Sequence, residues 1–217
     1  MVLRPEVAAE ATIAKAVAAG LEAISMPLFR IEPVEWRAPD VGSFDGLLLT
    51  SANAVRSAGK GLEDLRGLKA FAVGEATAEA ARGAGFDIAA TGDSGIDRLL
   101  RSIDGDLRLL HPCGADRREP REVRQRITPL VVYRSRPIDE PNLSCASGQV
   151  ALIHSPRAGL RFAELVADRN SIAVAAISEA ALEALGEGWE KAEVADAPND
   201  DALLALAARL CNKPDPE

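Results

Sequence analysis

LLLTSANAVRSAG, at residues 47–59, is an apolar run that ends at a hydroxyl-bearing turn and continues with a helical pattern. A second stretch of the same kind, LIHSPRAGL, follows at residues 152–160. Ser51 and Ser155 stand at the two turns, and Ser is among the residues that most often cap the first turn of a helix. The chain therefore makes the same strand-to-helix turn twice.

An internal repeat extends well beyond these two turns. An offset of 104 residues, the distance from Ser51 to Ser155, also aligns VGEATAEAA at 73–81 with ISEAALEAL at 177–185. Each half then reads as strand, Ser turn, helix, strand, small-residue turn, Ala-rich helix, strand, acidic turn and helix. Strands that alternate with helices are typical of βαβ units and a parallel sheet. The sequence therefore predicts two similar three-layer α/β domains.

The start of the chain predicts that one domain is discontinuous. The first 28 residues contain a strand end, a helix and a second strand, whereas the second repeat starts near residue 148 without such an opening. The runs MPLFRIEPVEW and ITPLVVYRSRP are apolar, strand-like and bounded by Pro, so they are suited to connect two domains across a hinge and cleft. The predicted boundaries are residues 1–32 with 138–217 for the discontinuous domain, 36–131 for the inserted domain, and 27–37 and 129–138 for the linkers.

Composition points to a soluble cytoplasmic protein. The net charge of -8 disfavours nucleic-acid and membrane partners, which reward an excess of Lys and Arg. Three Cys residues lie far apart without metal-ligand spacing, which predicts reduced thiols and no metal site. No apolar run reaches the roughly 18 residues of a membrane span, and no signal-peptide pattern follows Met1. The sequence also lacks the phosphate-loop, dinucleotide and hydrolase motifs that would indicate a nucleotide enzyme or a triad hydrolase.

Seven turns are candidate ligand-binding segments. In open parallel sheets, ligands bind beyond the carboxyl ends of the strands, where the free N–H groups of the following helices favour anions. Such turns, if they line one cleft, would suit a large, flexible ligand that carries several carboxylates. The structural alternative is that Ser51 and Ser155 only cap helices and that Gly74 and Gly114 only permit turns. Neither His111 nor His154 has an obvious ligand partner. The seven turns are TSANA (50–54), VGEAT (73–77), GDSGID (92–97), HPCGADR (111–117), HSPRAG (154–159), ISEAA (177–181) and APNDD (197–201).

Tyr133 is the candidate for acid–base chemistry. It is the only Tyr of the chain and lies in the second predicted linker, within VVYRSR. A phenol at the cleft can donate a proton or a hydrogen bond. Packing of the ring within the hinge is the structural alternative.

Four motifs, in order and spacing, resemble the uroporphyrinogen-III synthase family: LLLTSANAVR, AVGEATAEAARGAGF, VVYRS and IHSPRAG. The resemblance covers nearly the whole chain. It implies two flavodoxin-like parallel-sheet α/β domains, joined by a two-stranded linker, with the first domain discontinuous. It also implies a reaction without metal or cofactor, in which hydroxymethylbilane loses water to form an azafulvene. Ring D then attacks through its substituted carbon, and a spiro intermediate reopens and closes with that ring inverted.

The resemblance also implies roles for individual residues. Tyr133 matches the family's linker tyrosine and would assist departure of the hydroxyl, while Thr77 and Ser155 match positions that bind carboxylates or pyrrole groups. Further positions expected to bind substrate are Ser51, Gly74, Arg4, Asn53, Gly114 and Ser178. The expected partner is a linear tetrapyrrole with multiple carboxylates, with transient contact to the enzyme that produces the bilane, and the expected state is a monomer.

Three other functions are compatible with parts of the sequence. Ala181 stands opposite Thr77 in the repeat, and the acidic turn APNDD replaces a hydroxyl-rich stretch, which together favour a catalytically impaired two-lobed binding module. A hinge-closing binding protein of periplasmic type is disfavoured by the absence of an export signal. An interaction scaffold is disfavoured because no segment suggests an exposed partner groove.

Overall fold

The chain divides into two compact units. A computed structural model of the protein describes residues 1–92, 95–117, 119–121 and 123–211, so Asp93 and Ser94 of the predicted GDSGID turn lie outside the described residues. Unit 1 combines residues 1–30 with the chain from residue 137 onward, and unit 2 comprises residues 31–136. Within the described residues, no helix is both long enough and apolar enough to cross a membrane.

Unit 2 is built on a parallel sheet. Its strands β2 and β3 are the short apolar runs GLLL and AFAV, which are almost wholly buried, as expected of strands covered on both faces. The spatial order is β1-β6-β5-β2-β3-β4, and the pairs from β6 to β4 are parallel. Strands β1 and β6 each continue into unit 1. The bounds are β1 Phe29–Pro33, β2 Gly46–Leu49, β3 Ala70–Val73, β4 Ile88–Gly92, β5 Arg108–Gly114 and β6 Arg126–Pro137.

Helices cover both faces of this sheet. Leu47 and Leu49 pack on one face, in the same apolar cluster as residues of α2 and α3, whereas Leu48 packs on the other face against α4. This alternation follows from the period of two in a strand. The helices are α2 Ala52–Ser57, α3 Glu75–Gly83 and α4 Ile96–Ser102, with 3₁₀ turns at Val41–Ser43 and Lys60–Leu65.

Unit 1 repeats the arrangement with a shorter sheet. Strands β7, β8 and β9 are parallel neighbours, and Val2 extends the sheet through parallel bridges to Leu152 on one side and Ser25 on the other. Helices α5 and α6 contribute to the apolar cluster on one face, and α1 and α7 to the cluster on the other. The bounds are α1 Glu6–Ala18, β7 Val150–Ile153, α5 Pro156–Leu165, β8 Ala173–Ala176, α6 Glu179–Glu183, β9 Lys191–Val194 and α7 Asp200–Cys211.

The internal repeat corresponds to equivalent elements of the two units. Strands β2, β3 and β4 of unit 2 match β7, β8 and β9 of unit 1, and the segments around Val2 and Ser25 take the places of β5 and β6. In chain order, the five strand positions of unit 1 lie 2-1-3-4-5 across the sheet, which is the flavodoxin-like order. For β2 to β6, unit 2 has the same spatial order, but β5 and β6 come last in its chain instead of first. The predicted α/β class with two flavodoxin-like parallel sheets is confirmed.

One predicted turn is in fact part of a strand. The segment from His111 to Gly114, predicted to begin the HPCGADR turn, continues β5 and pairs with β6 as far as Tyr133. Strand β5 pairs with β2 only up to Leu110. Beyond that residue β5 has a single neighbour, so it tolerates Pro112, which cannot donate to a ladder. The turn therefore starts only after Gly114.

Candidate active site

The carboxyl edge of the unit 2 sheet brings together six of the nine predicted site residues. Tyr133 lies on β6 opposite Gly114, the last residue of β5. Ser51 follows β2, and Gly74 follows β3. Because these four strands are parallel neighbours, the end of β5, the positions that follow β2 and β3, and Tyr133 within β6 lie towards the same edge of the sheet. Asn53 and Thr77 lie in the first turns of the helices that follow β2 and β3.

Tyr133 presents a phenol without an internal partner. Its side chain is half-buried and packs with the apolar cluster of unit 2, and its carbonyl accepts a hydrogen bond of 2.9 Å from the backbone N–H of Ala115. The phenol oxygen has no hydrogen-bond partner among the described residues. A phenol at a sheet edge without such a partner is available to a ligand.

A neutral histidine lies behind this edge. His111, on β5, is 2% exposed, and its Nε2 atom lies 3.0 Å from the hydroxyl oxygen of Thr50 at the end of β2. Burial, with a further contribution from the Arg117 charge, lowers the pKa of His111 to about 4. The imidazole is therefore uncharged near neutral pH, and the pair adds polarity to the edge without adding charge.

Thr77 and Ser51 differ in what their hydroxyls contact. The Ser51 hydroxyl caps α2 by accepting a hydrogen bond of 3.2 Å from the N–H of Asn53. Thr77, in contrast, is 5% exposed, and its hydroxyl makes no hydrogen bond to any described residue. Gly74 has a φ of 84°, a left-handed conformation that favours glycine, and leads directly into α3. Of these residues, Thr77 has the hydroxyl that a ligand would satisfy.

The carboxyl edge of unit 1 carries charge. Arg4 follows the strand segment at Val2, and its Nη1 atom lies 3.2 Å from both carboxylate oxygens of Asp200, at the start of α7. Thr12 of α1 completes the cluster, accepting from Arg4 at 3.1 Å and donating to Asp200 at 2.8 Å. The other two guanidinium nitrogens of Arg4 have no hydrogen-bond partner among the described residues.

His154 borders this charged cluster. Its side chain is 8% exposed, and its Nε2 atom lies 3.4 Å from a carboxylate oxygen of Asp200 without a well-aligned hydrogen bond. The interaction with His154, then the Thr12 hydroxyl and the Arg4 charge, hold the pKa of Asp200 well below its usual range. Asp200 is therefore an anion at neutral pH, and its carboxylate accepts hydrogen bonds from Arg4.

The last two predicted residues cap helices in unit 1. Ser155 accepts a hydrogen bond of 3.2 Å from the N–H of Ala158, and Ser178 accepts one of 3.3 Å from the N–H of Ala181. Ser155 also lies next to Arg157, whose guanidinium is 4.5 Å from the centre of the Phe29 ring. The remaining free N–H groups at the start of α5 are suited to an anion.

Sequence reasoning did not identify the internal contacts of the two His residues at these edges. Thr50 pairs with His111, and Asp200 lies 3.4 Å from His154. The repeat contained one usable signal, since Thr50 and His154 occupy equivalent positions at the offset of 104. No group of three or more His, Cys, Asp or Glu suited to a metal ion occurs within the described residues.

These features define a class of protein: two parallel α/β units, each with polar side chains gathered at the carboxyl edge of its sheet. The family described as uroporphyrinogen-III synthase HemD matches residues 10–205. The chain belongs to the uroporphyrinogen-III synthase family. No curated protein sequence matches it.

Two solved structures have a similar fold. The uroporphyrinogen-III synthetase of Helicobacter pylori aligns with a TM-score of 0.66 at 18% identity, over 88% of this chain and 94% of that one. A mutant uroporphyrinogen III synthase from the extremely thermophilic bacterium Thermus thermophilus aligns with a TM-score of 0.53 at 20% identity, over 96% of each chain. At this level of identity, the two structures support the fold.

Proposed function

We propose that this protein is a carbon–oxygen lyase that cyclises hydroxymethylbilane to uroporphyrinogen III, with loss of water and inversion of ring D. The family match over residues 10–205 carries the proposal. The unpartnered phenol of Tyr133 at a sheet edge supports it, because the reaction needs a donor at the departing hydroxyl.

Tyr133 is assigned to the first chemical step. Its phenol donates a proton to the hydroxymethyl oxygen, which leaves as water. The pyrrole N–H then loses its proton, which can return to the phenolate, and the azafulvene is formed. Ring D then attacks through its substituted carbon, the spiro intermediate fragments, and the ring recloses in inverted orientation. The pair of Thr50 and neutral His111 at the same sheet edge adds no positive charge of its own to a step in which positive charge develops.

Substrate binding is assigned to polar groups at the edges. Thr77 offers a hydroxyl without a partner, Arg4 offers the two guanidinium nitrogens that Asp200 leaves unused, and Ser155 lies at the first turn of α5. Ser51, Asn53, Gly74 and Ser178 lie at the other helix starts, where backbone N–H groups bind carboxylates. The main task is orientation, because only one bound pose leads to inversion of the ring.

The proposal also covers the oligomeric state of the protein, its location, its cofactor requirement and the source of its substrate. The protein acts as a monomer in the cytoplasm, without a cofactor, on a flexible tetrapyrrole bearing several carboxylates. It receives that substrate through transient contact with the enzyme that produces it.

A catalytically impaired binding module is the second candidate function. Ala181, fully buried at the repeat position of Thr77, supports it because the unit 1 counterpart of that hydroxyl is absent. The retained Tyr133 favours the enzyme over this alternative.

A coupled assay tests the proposal. Hydroxymethylbilane is generated in place, the protein is added, and the oxidised porphyrin isomers are separated. We expect the product to change from isomer I, which forms spontaneously, to isomer III. Isomer I alone, from protein whose folding is verified by circular dichroism, would reject the enzyme and favour the binding module.

A further inference from the structure

The backbone conformation of Gly114 does not require glycine, so the reason for a glycine there must lie in its surroundings. It is buried at the end of β5, and its φ lies outside the left-handed region that favours glycine. A Cβ atom built at Gly114 would lie 2.8 Å from Cζ, 2.9 Å from Cε2 and 3.0 Å from the phenol oxygen of Tyr133. The outer half of the tyrosine ring therefore occupies the space that a side chain would take.

The strand pairing places these two residues together. The register between β5 and β6 shifts between Cys113 and Gly114, and the shifted position sets Gly114 opposite Tyr133. The next residue, Ala115, holds the Tyr133 carbonyl through a hydrogen bond of 2.9 Å. The end of β5 thus holds the backbone of Tyr133 through Ala115 and contacts its ring at Gly114.

We infer that Gly114 is a positioning residue for the Tyr133 phenol. The bare backbone at Gly114 lets the outer atoms of the ring lie close to the end of β5, and this contact sets the direction in which the hydroxyl points. Gly114 acts through Tyr133 and needs no contact with substrate. The inference rests on the proposed function of Tyr133.

The variant Gly114→Ala tests the inference. The new methyl group must push the ring away by several tenths of an ångström, and a displacement near 1 Å can lower a rate by about 100-fold. We expect kcat to fall by about 10- to 100-fold, with KM changed by less than about 3-fold, because substrate binding relies mainly on other groups. A kcat equal to that of the parent protein would overturn the inference.

A steric control separates positioning from general damage. A Cβ at Gly46, in the neighbouring strand β2, would lie 2.9 Å from both the Lys69 carbonyl oxygen and Cε2 of Phe71, and none of its three nearest atoms belongs to Tyr133. Gly46→Ala therefore introduces a comparable clash in the same sheet. We expect it to lower stability while its kcat at a permissive temperature stays within about 3-fold of the parent. Equal losses of kcat in both variants would overturn the positioning role.

The single tyrosine gives a direct readout that does not depend on catalysis. Protein made with ring-labelled tyrosine shows one set of ring resonances, since the chain has one Tyr. We expect Gly114→Ala to shift them and Gly46→Ala to leave them nearly unchanged. Unshifted resonances in Gly114→Ala would overturn the inference. This readout also separates the two proposals: a parent protein that forms no isomer III rejects the function, while the resonances still report on positioning.

Two double variants complete the test. In the Tyr133→Phe background, Gly114→Ala should cause no further loss of kcat, because no phenol remains to be positioned. A further loss as large as in the parent would overturn the inference. If Gly114→Ala fails to fold, adding Tyr133→Leu removes the ring atoms that the methyl group would strike, and we expect folding to return. Persistent misfolding of that double variant would show that another contact excludes the side chain, and would likewise overturn the inference.

Discussion

The carboxyl edges of units 1 and 2 belong to sheets of the same strand order, but they place different electrostatic groups at equivalent positions. At equivalent repeat positions, unit 2 has Thr50 and unit 1 has His154. Thr50 pairs with a neutral, buried histidine, whereas His154 lies beside an aspartate that is bonded to Arg4. A neutral pair and a charged cluster thus occupy the same place in one fold.

The difference suggests a division of work. The unit 2 edge offers the hydroxyls of Tyr133 and Thr77, neither of which has an internal partner among the described residues, and this suits the proton donation proposed for Tyr133. The unit 1 edge holds Arg4 rigidly through Asp200, which suits recognition of a carboxylate. Both units thus have a carboxyl edge of the same kind, and the side chains at the strand ends determine which groups that edge can bind.

Removing the phenol tests the unit 2 side of the comparison and should have the largest effect. We expect Tyr133→Phe to lower kcat by about 100-fold or more, the range of a general acid, because the ring stays while the donor is lost. Thermal unfolding should be nearly unchanged, since the phenol oxygen has no internal partner. The isomer-resolved assay measures the rate. Parent-level turnover would remove Tyr133 from the mechanism.

The neutral histidine of unit 2 predicts a pH dependence of stability. The folded-state pKa of His111 is about 4, below the unfolded value near 6.5, so the unfolded state binds the extra proton. The stabilisation is complete above pH 6.5 and is lost as pH falls towards 4, by at most about 3 kcal/mol. Urea unfolding of the parent and of His111→Gln across this range measures it.

The His111→Gln variant has a clear expected outcome. Glutamine keeps a polar atom near Thr50 and cannot gain a charge in this range. We therefore expect its unfolding free energy to fall less steeply than that of the parent between pH 6.5 and 4. Parallel curves for the two proteins would mean that His111 is not the titrating group.

The charged cluster of unit 1 predicts an intermediate effect with a different pH window. Asp200→Asn removes the anion that Arg4 and Thr12 contact, and we expect a loss of about 2 kcal/mol at pH 7. Because the folded-state pKa of Asp200 is depressed, its contribution exists above the unfolded value near 3.9 and is lost as pH falls below it. The difference between parent and variant should therefore shrink below pH 4.

Asp201→Asn is the matched control for the unit 1 cluster. Asp201 is adjacent to Asp200 but contacts the exposed Lys15, and its side chain is 79% exposed. We expect its effect on unfolding to stay within about 0.5 kcal/mol. Equal losses for both variants would show that position on α7, rather than the cluster, determines the effect.

The two capping serines should have the smallest effects and the most similar ones. Ser51→Ala and Ser155→Ala each remove a helix cap, and we expect each to lower the unfolding free energy by about 1 kcal/mol. Ser155→Asp keeps the cap and adds a negative charge, so it should preserve stability and raise KM for a substrate with carboxylates. An unchanged KM would assign Ser155 to structure alone.

Local sequence predicted most of the elements that position the candidate site. The turns after LLL and LIH, with Ser51 and Ser155, begin helices as expected, because capping and strand burial depend on neighbouring residues. The repeat offset predicted which elements of the two units are equivalent. Tyr133 could be singled out because it is the only Tyr and lies in a strand-like run near a unit boundary.

Contacts between distant residues could not be predicted in this way. Arg4 and Asp200 are 196 residues apart, and Thr50 and His111 are 61 residues apart. Whether such side chains meet depends on strand order and register. A slip of one residue in the register would turn every side chain of a strand to the other face of the sheet. The extension of β5 through Pro112 has the same origin, because it depends on which neighbouring strand has already ended.

The α/β class, the repeat, the order of the elements and the positions of the polar turns could thus be predicted from the amino-acid pattern, since they follow from periodicity and capping over a few residues. The tertiary structure decided which polar groups are neutralised, which are left without partners and which glycine faces the tyrosine ring. Those outcomes depend on burial and on contacts between strands far apart in the chain, where the low local dielectric and close packing leave few alternatives.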